Sequence, residues 1–246
     1  GKGGGGDVRV SVYFTPAELG ASELAGRTVV VIDVLRATST LVEALANGAR
    51  SVFPAQTTDD AVRLAQALGR EDVLLCGERR GLKIPGFDLG NSPLEFTADR
   101  VAGKVLVMAT TNGTPALTAC VGAKQVLVAS LLNLDAVVRE LAAAGEDVEI
   151  LCAGRERRFA LEDALCAGML ALGLRSRLGR APRTNDAAAV SMSLARRAAG
   201  RMERWLARSA AGRALKEIGL ADDVAYCAAV DRHAVVPRLK ERQVSL

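Results

Sequence analysis

The chain has 246 residues, which is enough for one large α/β domain or for two tightly joined lobes. Half of the residues are hydrophobic but only 3% are aromatic, so we expect an aliphatic core. The formal net charge of +4 favours an anionic ligand, and the shortage of aromatic stacking platforms argues against nucleic acid as a partner.

The cysteines indicate a reducing compartment. Five occur singly, without the spacing of a zinc site: Cys76, Cys120, Cys152, Cys166 and Cys227. Such an odd, dispersed set is typical of reduced thiols, so a cytoplasmic protein is expected. No segment resembles a signal peptide or is long enough to span a bilayer, and no membrane partner is expected. The glycine-rich residues 1–6 are predicted to be a flexible leader. Residues 7–246 are predicted to form a single domain, with two lobes of about 7–130 and 131–246 as the alternative.

Strand and helix patterns alternate as far as residue 175. Strands are predicted at residues 8–14, 29–32, 51–53, 73–76, 104–109, 125–129 and 148–152. Helices are predicted at residues 59–68 and 134–144 and from 159 to about 174, and residues 185–216 are mostly helical and rich in alanine and arginine. The expected fold is therefore α/β, with three layers and a mostly parallel sheet between the helices.

The run of residues 29–32 is β-branched throughout, as in a parallel strand that is buried on both faces. Asp33 and Arg36 follow it, and Thr40 with Glu43 is predicted to form a capping box that begins a helix. This turn joins the carboxyl end of a strand to the amino end of a helix, where free N–H groups favour an anion. Asp33 could hold a metal and Arg36 a phosphate or sulfonate; alternatively, the two side chains pair with each other.

Polar clusters also follow three other predicted strands. They are Glu78 and Arg79, the turn from Thr110 to Thr114, and Gly154 with Arg155. If the strands are parallel, their carboxyl ends face one way and these clusters converge. The arginines and turn amides would then hold an anion.

A loop after the strand at 73–76 contains Asp88 and Asn91, and Ser92 with Glu95 is predicted to cap its end. Asp88 would join Asp33 and Glu78 as a hard oxygen ligand for Mg²⁺. A divalent metal with arginines around a phosphoryl group stabilises the charge of its transfer. The adjacent acids Glu162 and Asp163 are further metal candidates, although acids in the first turn of a helix also favour the helix dipole.

Two alternatives compete with metal-assisted phosphoryl transfer. Cys152 and Arg158 have C-x5-R spacing between a strand and a helix, so a thiolate nucleophile with Arg158 on the phosphate is chemically sensible. However, that loop has one glycine and long side chains, whereas a phosphate cradle needs close backbone approach. The second alternative is a module that binds a small anion at the same turns without metal chemistry. The single histidine, His233, argues against histidine-nucleophile hydrolases.

Several segments, in order from about residue 8 to 240, resemble the Mg²⁺-dependent 2-phosphosulfolactate phosphatases. They are IDVLRATST (Ile32 to Thr40), GER (Gly77 to Arg79), GFDLGNSP (Gly86 to Pro93), TTNGTPAL (Thr110 to Leu117), CAG…EDALCAG (Cys152 to Gly168), and a closing pattern with Ala211-Gly212-Arg213, Leu215, Asp222-Asp223, Cys227, Asp231 and Val236-Pro237. The resemblance implies hydrolysis of (2R)-2-phospho-3-sulfolactate to 3-sulfolactate and phosphate, a step on one route to coenzyme M. It also implies a three-layer α/β/α fold in two closely associated halves.

We therefore expect a cytoplasmic, Mg²⁺-dependent phosphatase whose substrate is a small anionic phosphorylated acid. The expected catalytic residues are Asp33, Arg36 and Glu78. The expected metal ligands are Asp33, Glu78 and Asp88, with Glu162 or Asp163 in an outer position. The expected substrate contacts are Arg36, Thr38, Ser39, Arg79, Asn91, Thr111, Asn112, Gly113, Thr114 and Arg155. Metal-activated water is preferred to an aspartyl-phosphate, because the paired-aspartate nucleophile motif is absent. The alanine- and arginine-rich carboxyl-terminal region suggests a homodimer.

Overall fold

The structure, a computed structural model, describes residues 7–246, so the leader predicted for residues 1–6 lies outside the described residues. The strands are β1 (Arg9–Tyr13), β2 (Thr28–Ile32), β3 (Ser51–Ala55), β4 (Val73–Arg79), β5 (Leu82–Lys83), β6 (Val105–Ala109), β7 (Gln125–Ala129), β8 (Val148–Cys152), β9 (Arg183–Thr184), β10 (Arg238–Lys240) and β11 (Gln243–Ser245). The α-helices are α1 (Ala37–Ala46), α2 (Thr58–Ala67), α3 (Ala98–Val101), α4 (Gly113–Thr118), α5 (Leu134–Ala144), α6 (Leu161–Leu178), α7 (Asp186–Ala198), α8 (Met202–Arg208), α9 (Ala210–Glu217) and α10 (Ala221–Cys227).

The strands form one sheet in the order β5-β4-β6-β3-β11-β10-β7-β2-β8-β1-β9. Strands β4, β6 and β3 pair in parallel, and so do β7, β2, β8, β1 and β9. The hairpin β10–β11 joins these two parallel blocks through antiparallel pairs with β7 and β3. The predicted three-layer fold with a mostly parallel sheet is thus confirmed. Because β8 pairs with β2, the two parallel blocks of the sheet are interleaved in sequence.

Strand β2 explains the layering. Its residues Val29 to Ile32 are fully buried, and successive side chains point to opposite faces of the sheet. Val30 and Ile32 pack in a core with α5, α6 and α7, whereas Val29 and Val31 pack in a second core with α1 and α4. Each such side chain contributes roughly 1.5–3 kcal/mol by leaving water, so an uninterrupted β-branched run is stable only between two helical layers.

The two parallel blocks do not share one carboxyl edge, contrary to the expectation for a fully parallel sheet. Three antiparallel pairs separate β3 from β7, so the strand direction reverses between the blocks. Five strand-to-strand steps lie between β6 and β2. The carboxyl ends of β6 and β2 nevertheless lie close together. A Cβ atom at position 113, after β6, would be 3.0 Å from Oδ2 of Asp33, after β2.

One predicted helix start is wrong. Helix α1 begins at Ala37, three residues before Thr40, and the Thr40 hydroxyl donates to the carbonyl of Asn91 at 2.8 Å. Glu43 accepts a hydrogen bond from Tyr226 and does not close a capping box. The turn between Ile32 at the end of β2 and Ala37 is short, so the helix begins before Thr40. The capping box of Ser92 and Glu95 is confirmed. In the described part of the chain, no helix has the length and apolar character that crossing a membrane requires.

Candidate active site

The turns after four strands line one cavity of about 250 Å³. They contribute, in chain order, Asp33 after β2, Glu78 at the end of β4, Thr110 after β6 and Gly154 after β8. Helix α9 closes another side of the cavity with apolar side chains. The structure thus brings together the four strand-end clusters that the sequence singled out.

Asp33 lies in a turn that is fixed by its own neighbours. The Thr38 hydroxyl accepts the N–H of Asp33 at 2.8 Å and donates to its carbonyl at 2.9 Å, and the Ser39 hydroxyl donates to the carbonyl of Val34 at 2.7 Å. Thr38 and Ser39 are fully buried, and neither lines the cavity. These two predicted anion contacts therefore build the turn that carries Asp33.

The electrostatic environment of Asp33 disfavours its charged form. Burial raises the pKa of Asp33 to about 7, and the nearby carboxylates of Glu162 and Glu78 act in the same direction. The N–H of Ala37 and the guanidinium of Arg36 act against them. A buried carboxyl group beside like charges attracts a proton or a cation, and such groups cluster at functional sites.

Gly113 begins α4 directly beside this turn. A Cβ atom at position 113 would lie 2.4 Å from the Cβ of Ala37 and 3.0 Å from Oδ2 of Asp33. Glycine is therefore required for the first turns of α1 and α4 to approach each other. Thr114, a predicted substrate contact, exchanges hydrogen bonds with Thr110 and does not line the cavity.

Glu78 holds two turns in place at the cavity wall. Its Oε1 accepts the N–H of Thr111 at 2.7 Å and its Oε2 accepts the N–H of Gly81 at 2.9 Å. Arg79, which was predicted to contact the substrate, points elsewhere and donates to the carbonyls of Glu78 and Gln56. It does not line the cavity.

Arg80 lines the cavity where Arg79 was expected. The predicted strand ended at Cys76, whereas β4 extends to Arg79. Side chains alternate between the faces of a strand, so Arg79 takes the face opposite Glu78. Arg80 follows in the turn between β4 and β5 and lines the cavity from there, so the position of this turn is the missing signal for Arg80.

Arg36 pairs with Asp223 and not with Asp33. Its Nη1 donates to Oδ2 of Asp223 at 2.8 Å, and its Nη2 donates to the carbonyl of Gly81 at 2.7 Å. The Ser92 hydroxyl donates to the other oxygen of Asp223 at 2.6 Å. Both partners of the ion pair are buried, with 3% and 2% of their side chains exposed. These contacts fix the guanidinium in one orientation at the cavity wall.

The adjacent acids Glu162 and Asp163, at the start of α6, have different surroundings. Glu162 lines the cavity, and burial raises its pKa while the charge of Arg155 lowers it. Asp163 lies behind, where Oδ1 accepts the N–H of Val34 at 2.9 Å and Oδ2 accepts the N–H of Gly154 at 3.1 Å. Burial, and next the charge of Glu162, raise the pKa of Asp163 well above its usual value. Asp163 therefore ties the turn after β2 to the turn after β8.

Asp88 lies outside the cavity. It is exposed, and its Oδ2 accepts the N–H of Leu75 at 2.8 Å. Leu75 precedes Glu78 by three residues, which corresponds to about 10 Å along a strand. The loop that carries Asp88 runs back along β4, where Leu89 bridges to Cys76. The structure therefore separates Asp88 from Asp33 and Glu78, contrary to the expected set of three ligands.

The cysteine alternative does not fit the observed geometry. Cys152 is fully buried at the end of β8, and burial raises the pKa of its thiol well above the usual value. A protonated, enclosed thiol is a poor nucleophile. Arg158 is exposed and away from the cavity, whereas Arg155 lines it.

Two asparagines complete the wall. Asn91 is 4% exposed, and its Oδ1 has no hydrogen-bond partner among the described residues. Asn112 also lines the cavity, and its Oδ1 accepts the N–H of Glu156 at 3.1 Å. A buried acceptor without a partner beside a cavity is available to a donor or a cation of a ligand.

The donor set suits a magnesium ion that is held by few protein ligands. Within residues 7–246, no three His, Cys, Asp or Glu side chains lie close enough together to hold one ion. Magnesium is usually bound through one or two carboxylates, while waters and substrate phosphates supply its other ligands. Asp33 and Glu162 fit that role because they line the same cavity and repel each other. The unpaired Oδ1 of Asn91 is a further hard oxygen at this wall.

The fold and the site define an α/β protein with a charged cavity at the ends of its strands, and comparison with known proteins gives its class. A family model described as 2-phosphosulpholactate phosphatase matches residues 13–242. A protein of Symbiobacterium thermophilum is 45% identical over 96% of this chain and 99% of its own length. Proteins of Thermotoga petrophila and Gloeobacter violaceus are each 42% identical over 94% of this chain and 95% of their own. All three carry the name "Probable 2-phosphosulfolactate phosphatase". The chain belongs to the 2-phosphosulfolactate phosphatase family, a family of phosphoric monoester hydrolases.

Proposed function

We propose that this chain is a Mg²⁺-dependent phosphatase that hydrolyses (2R)-2-phospho-3-sulfolactate to 3-sulfolactate and phosphate. The observation that carries the proposal is a single cavity in which Asp33, Glu78 and Glu162 lie together with three arginines. The names of the relatives supply the substrate. Its phosphate, carboxylate and sulfonate make it strongly anionic, which suits the arginines and requires compensation at the carboxylates.

That requirement supports the magnesium dependence. A phosphate that enters beside Asp33, Glu78 and Glu162 meets like charges on buried side chains, where water screens the repulsion less than at the surface. The same repulsion contributes to the raised pKa of Asp33. The charge of a divalent cation at these carboxylates would offset this repulsion. Asp33 and Glu162 would hold the ion, which when bound neutralises phosphoryl oxygens and activates water.

The chain's own residues orient the substrate around this centre. Arg36, held by Asp223 and by the carbonyl of Gly81, presents a fixed guanidinium to a phosphoryl group, so little ordering is needed on binding. Glu78 holds the turn amides of Thr111 and Gly81 at the wall. In the reaction, the bond between phosphorus and the ester oxygen on carbon 2 breaks. The oxygen of the attacking water stays on the phosphate, and a proton from that water ends on the hydroxyl of sulfolactate.

The test combines phosphate release with metal titration. Chelation is expected to abolish phosphate release, and added Mg²⁺ to restore it. In calorimetric titrations, Glu162→Gln should weaken Mg²⁺ binding at least tenfold, because one of two carboxylate ligands is lost. Asp88→Asn is the matched control, since Asp88 is an exposed acid outside the cavity, and it should bind Mg²⁺ as the wild type does. Anion binding that survives chelation, without turnover, would favour the binding module instead.

The location of the protein in the cell and its metabolic role are also part of this proposal. We propose a cytoplasmic location and a role in a route to coenzyme M. The five cysteines are free and buried, which supports a reducing compartment. The homodimer stays a prediction that analytical ultracentrifugation would check, and so does the absence of a nucleic-acid partner.

A further inference from the structure

The two adjacent arginines at the end of β4 face opposite ways. Arg80 lines the cavity on the same side as Glu78. Arg79 lies on the other side, where its guanidinium donates to two backbone carbonyls, at 2.9 Å to Glu78 and at 3.3 Å to Gln56. The pair thus offers a cavity arginine and a matched arginine one residue away.

The backbone at Arg80 suits other residues better than arginine. Its φ is +55°, and Gly81 follows with φ +82°. Arg80 and Gly81 form the two-residue connection between β4 and β5, and consecutive positive φ values are those of a type I′ turn, where asparagine and glycine are preferred. A long side chain in a disfavoured conformation beside a cavity is evidence that the side chain itself has a task.

The guanidinium of Arg80 also differs from those of the other two cavity arginines in its partners. Three arginines line the cavity, and Arg36 is already paired with Asp223. Arg155 lies near Glu162, whose pKa its charge lowers. In the described part of the chain, the side chain of Arg80 has no hydrogen bond and no ion pair, so its guanidinium is free for a ligand.

Its position in the cavity indicates which part of a ligand it meets. Arg80 is exposed, whereas the carboxylates that would hold the metal and phosphate are buried. A substrate whose phosphate lies at these acids extends its other groups toward the mouth. The planar fork of an arginine matches two oxygens of a second anionic group there.

We propose that Arg80 binds the sulfonate of the substrate and makes the enzyme prefer phosphorylated lactates that carry a second strong acid at carbon 3. This inference rests on the proposed phosphatase activity and adds the residue that sets its substrate class. The compounds that separate the two are 2-phospho-3-sulfolactate and 2-phospholactate. They share the phosphate and the carboxylate and differ only in the sulfonate.

The experiment measures kcat/KM on both compounds for four proteins: the wild type, Arg80→Gly, Arg80→Lys and Arg79→Ala. We expect Arg80→Gly to reduce the preference for the sulfonated compound roughly ten- to a hundredfold, as loss of a charge-assisted contact does. The loss should appear in KM more than in kcat, because the sulfonate lies away from the reacting phosphorus. Arg80→Lys should keep part of the preference, and Arg79→Ala should keep all of it.

A thermal melt separates this role from a structural one. Glycine suits the turn conformation better than arginine does, so Arg80→Gly should melt at or above the wild-type temperature. An unchanged preference in Arg80→Gly, or an equal loss on both compounds, would overturn the assignment to the sulfonate while leaving the phosphatase intact. A wild type that releases phosphate from neither compound would instead overturn the proposed function, and this inference with it.

Discussion

Replacing Asp33 with asparagine should stabilise the metal-free protein at pH 8 and at the same time abolish phosphate release. Asp33 is 6% exposed, and burial, with the charges of Glu162 and Glu78, raises its pKa to about 7. At pH 8 the folded protein therefore holds a buried charge that the unfolded chain exposes to water. Asparagine removes that charge, keeps the size, and keeps an oxygen for the N–H of Ala37.

The raised pKa of Asp33 makes the free energy of unfolding depend on pH. The pKa of Asp33 is about 7 in the folded protein against a usual 3.8, so the folded protein binds this proton more tightly. The free energy of unfolding should therefore fall as the pH rises from about 4 to 7. A pKa difference of this size corresponds to at most about 4 kcal/mol. If Asp33→Asn gains only a quarter of that free energy, about 1 kcal/mol, its Tm should lie about 2–4 °C above that of the wild type for a chain of this length.

The assay is a set of thermal melts between pH 5 and pH 8.5, with chelator and again with Mg²⁺. In chelator, the Tm of the wild type should fall with pH more steeply than that of Asp33→Asn. Added Mg²⁺ should raise the Tm of the wild type at pH 8 and leave the variant unchanged. Asp88→Asn, which removes an exposed acid, should follow the wild-type curve. A variant that melts below the wild type at pH 8 in chelator would refute the argument.

Three further substitutions test other contacts of the site. Arg36→Lys keeps the charge but cannot keep both contacts of the guanidinium, so kcat/KM should fall about ten- to a hundredfold. The Tm should fall too, because the ion pair with Asp223 is buried. An unchanged Tm would contradict that pairing. Gly113→Ala places a methyl group 2.4 Å from the Cβ of Ala37 and should lower both kcat/KM and Tm; wild-type values would show that the helices can separate. Cys152→Ser should keep most activity despite a lower Tm, and loss of all turnover in a folded variant would restore the thiolate mechanism.

The sequence predicts the parts of the site that depend on local pattern. The buried β-branched run of β2 indicates a central parallel strand, and the polar residues that follow such a strand indicate a ligand site. This reasoning found Asp33, Glu78 and Arg155, each within a few residues of a strand end. Arg79 is predicted in place of Arg80, because the predicted strand ends at Cys76, three residues before the end of β4. Arg80 lies in the turn that follows Arg79, and this turn is not visible in the strand pattern.

Contacts between distant segments were beyond such reasoning. Arg36 and Asp223 are 187 residues apart, and no periodicity relates them. The hairpin β10–β11, near the carboxyl terminus, inserts between the two parallel blocks and reverses the strand direction. Convergence of the strand ends was therefore predicted for an incorrect reason. The two blocks run in opposite directions, so the convergence does not come from a common parallel edge.

The buried acids around the cavity show why carboxylates cannot simply be counted as metal ligands. Glu78 and Asp163 each accept two backbone N–H groups, and Asp223 holds Arg36, so these acids fix the turns and the arginine. Asp33 and Glu162 differ from Asp163 and Asp223 in that they line the cavity, where the proposed cation would reach them. A site with only two such carboxylates leaves coordination positions for the oxygens of a phosphate. The rigid acids keep that geometry when the substrate arrives, because their hydrogen bonds do not depend on it.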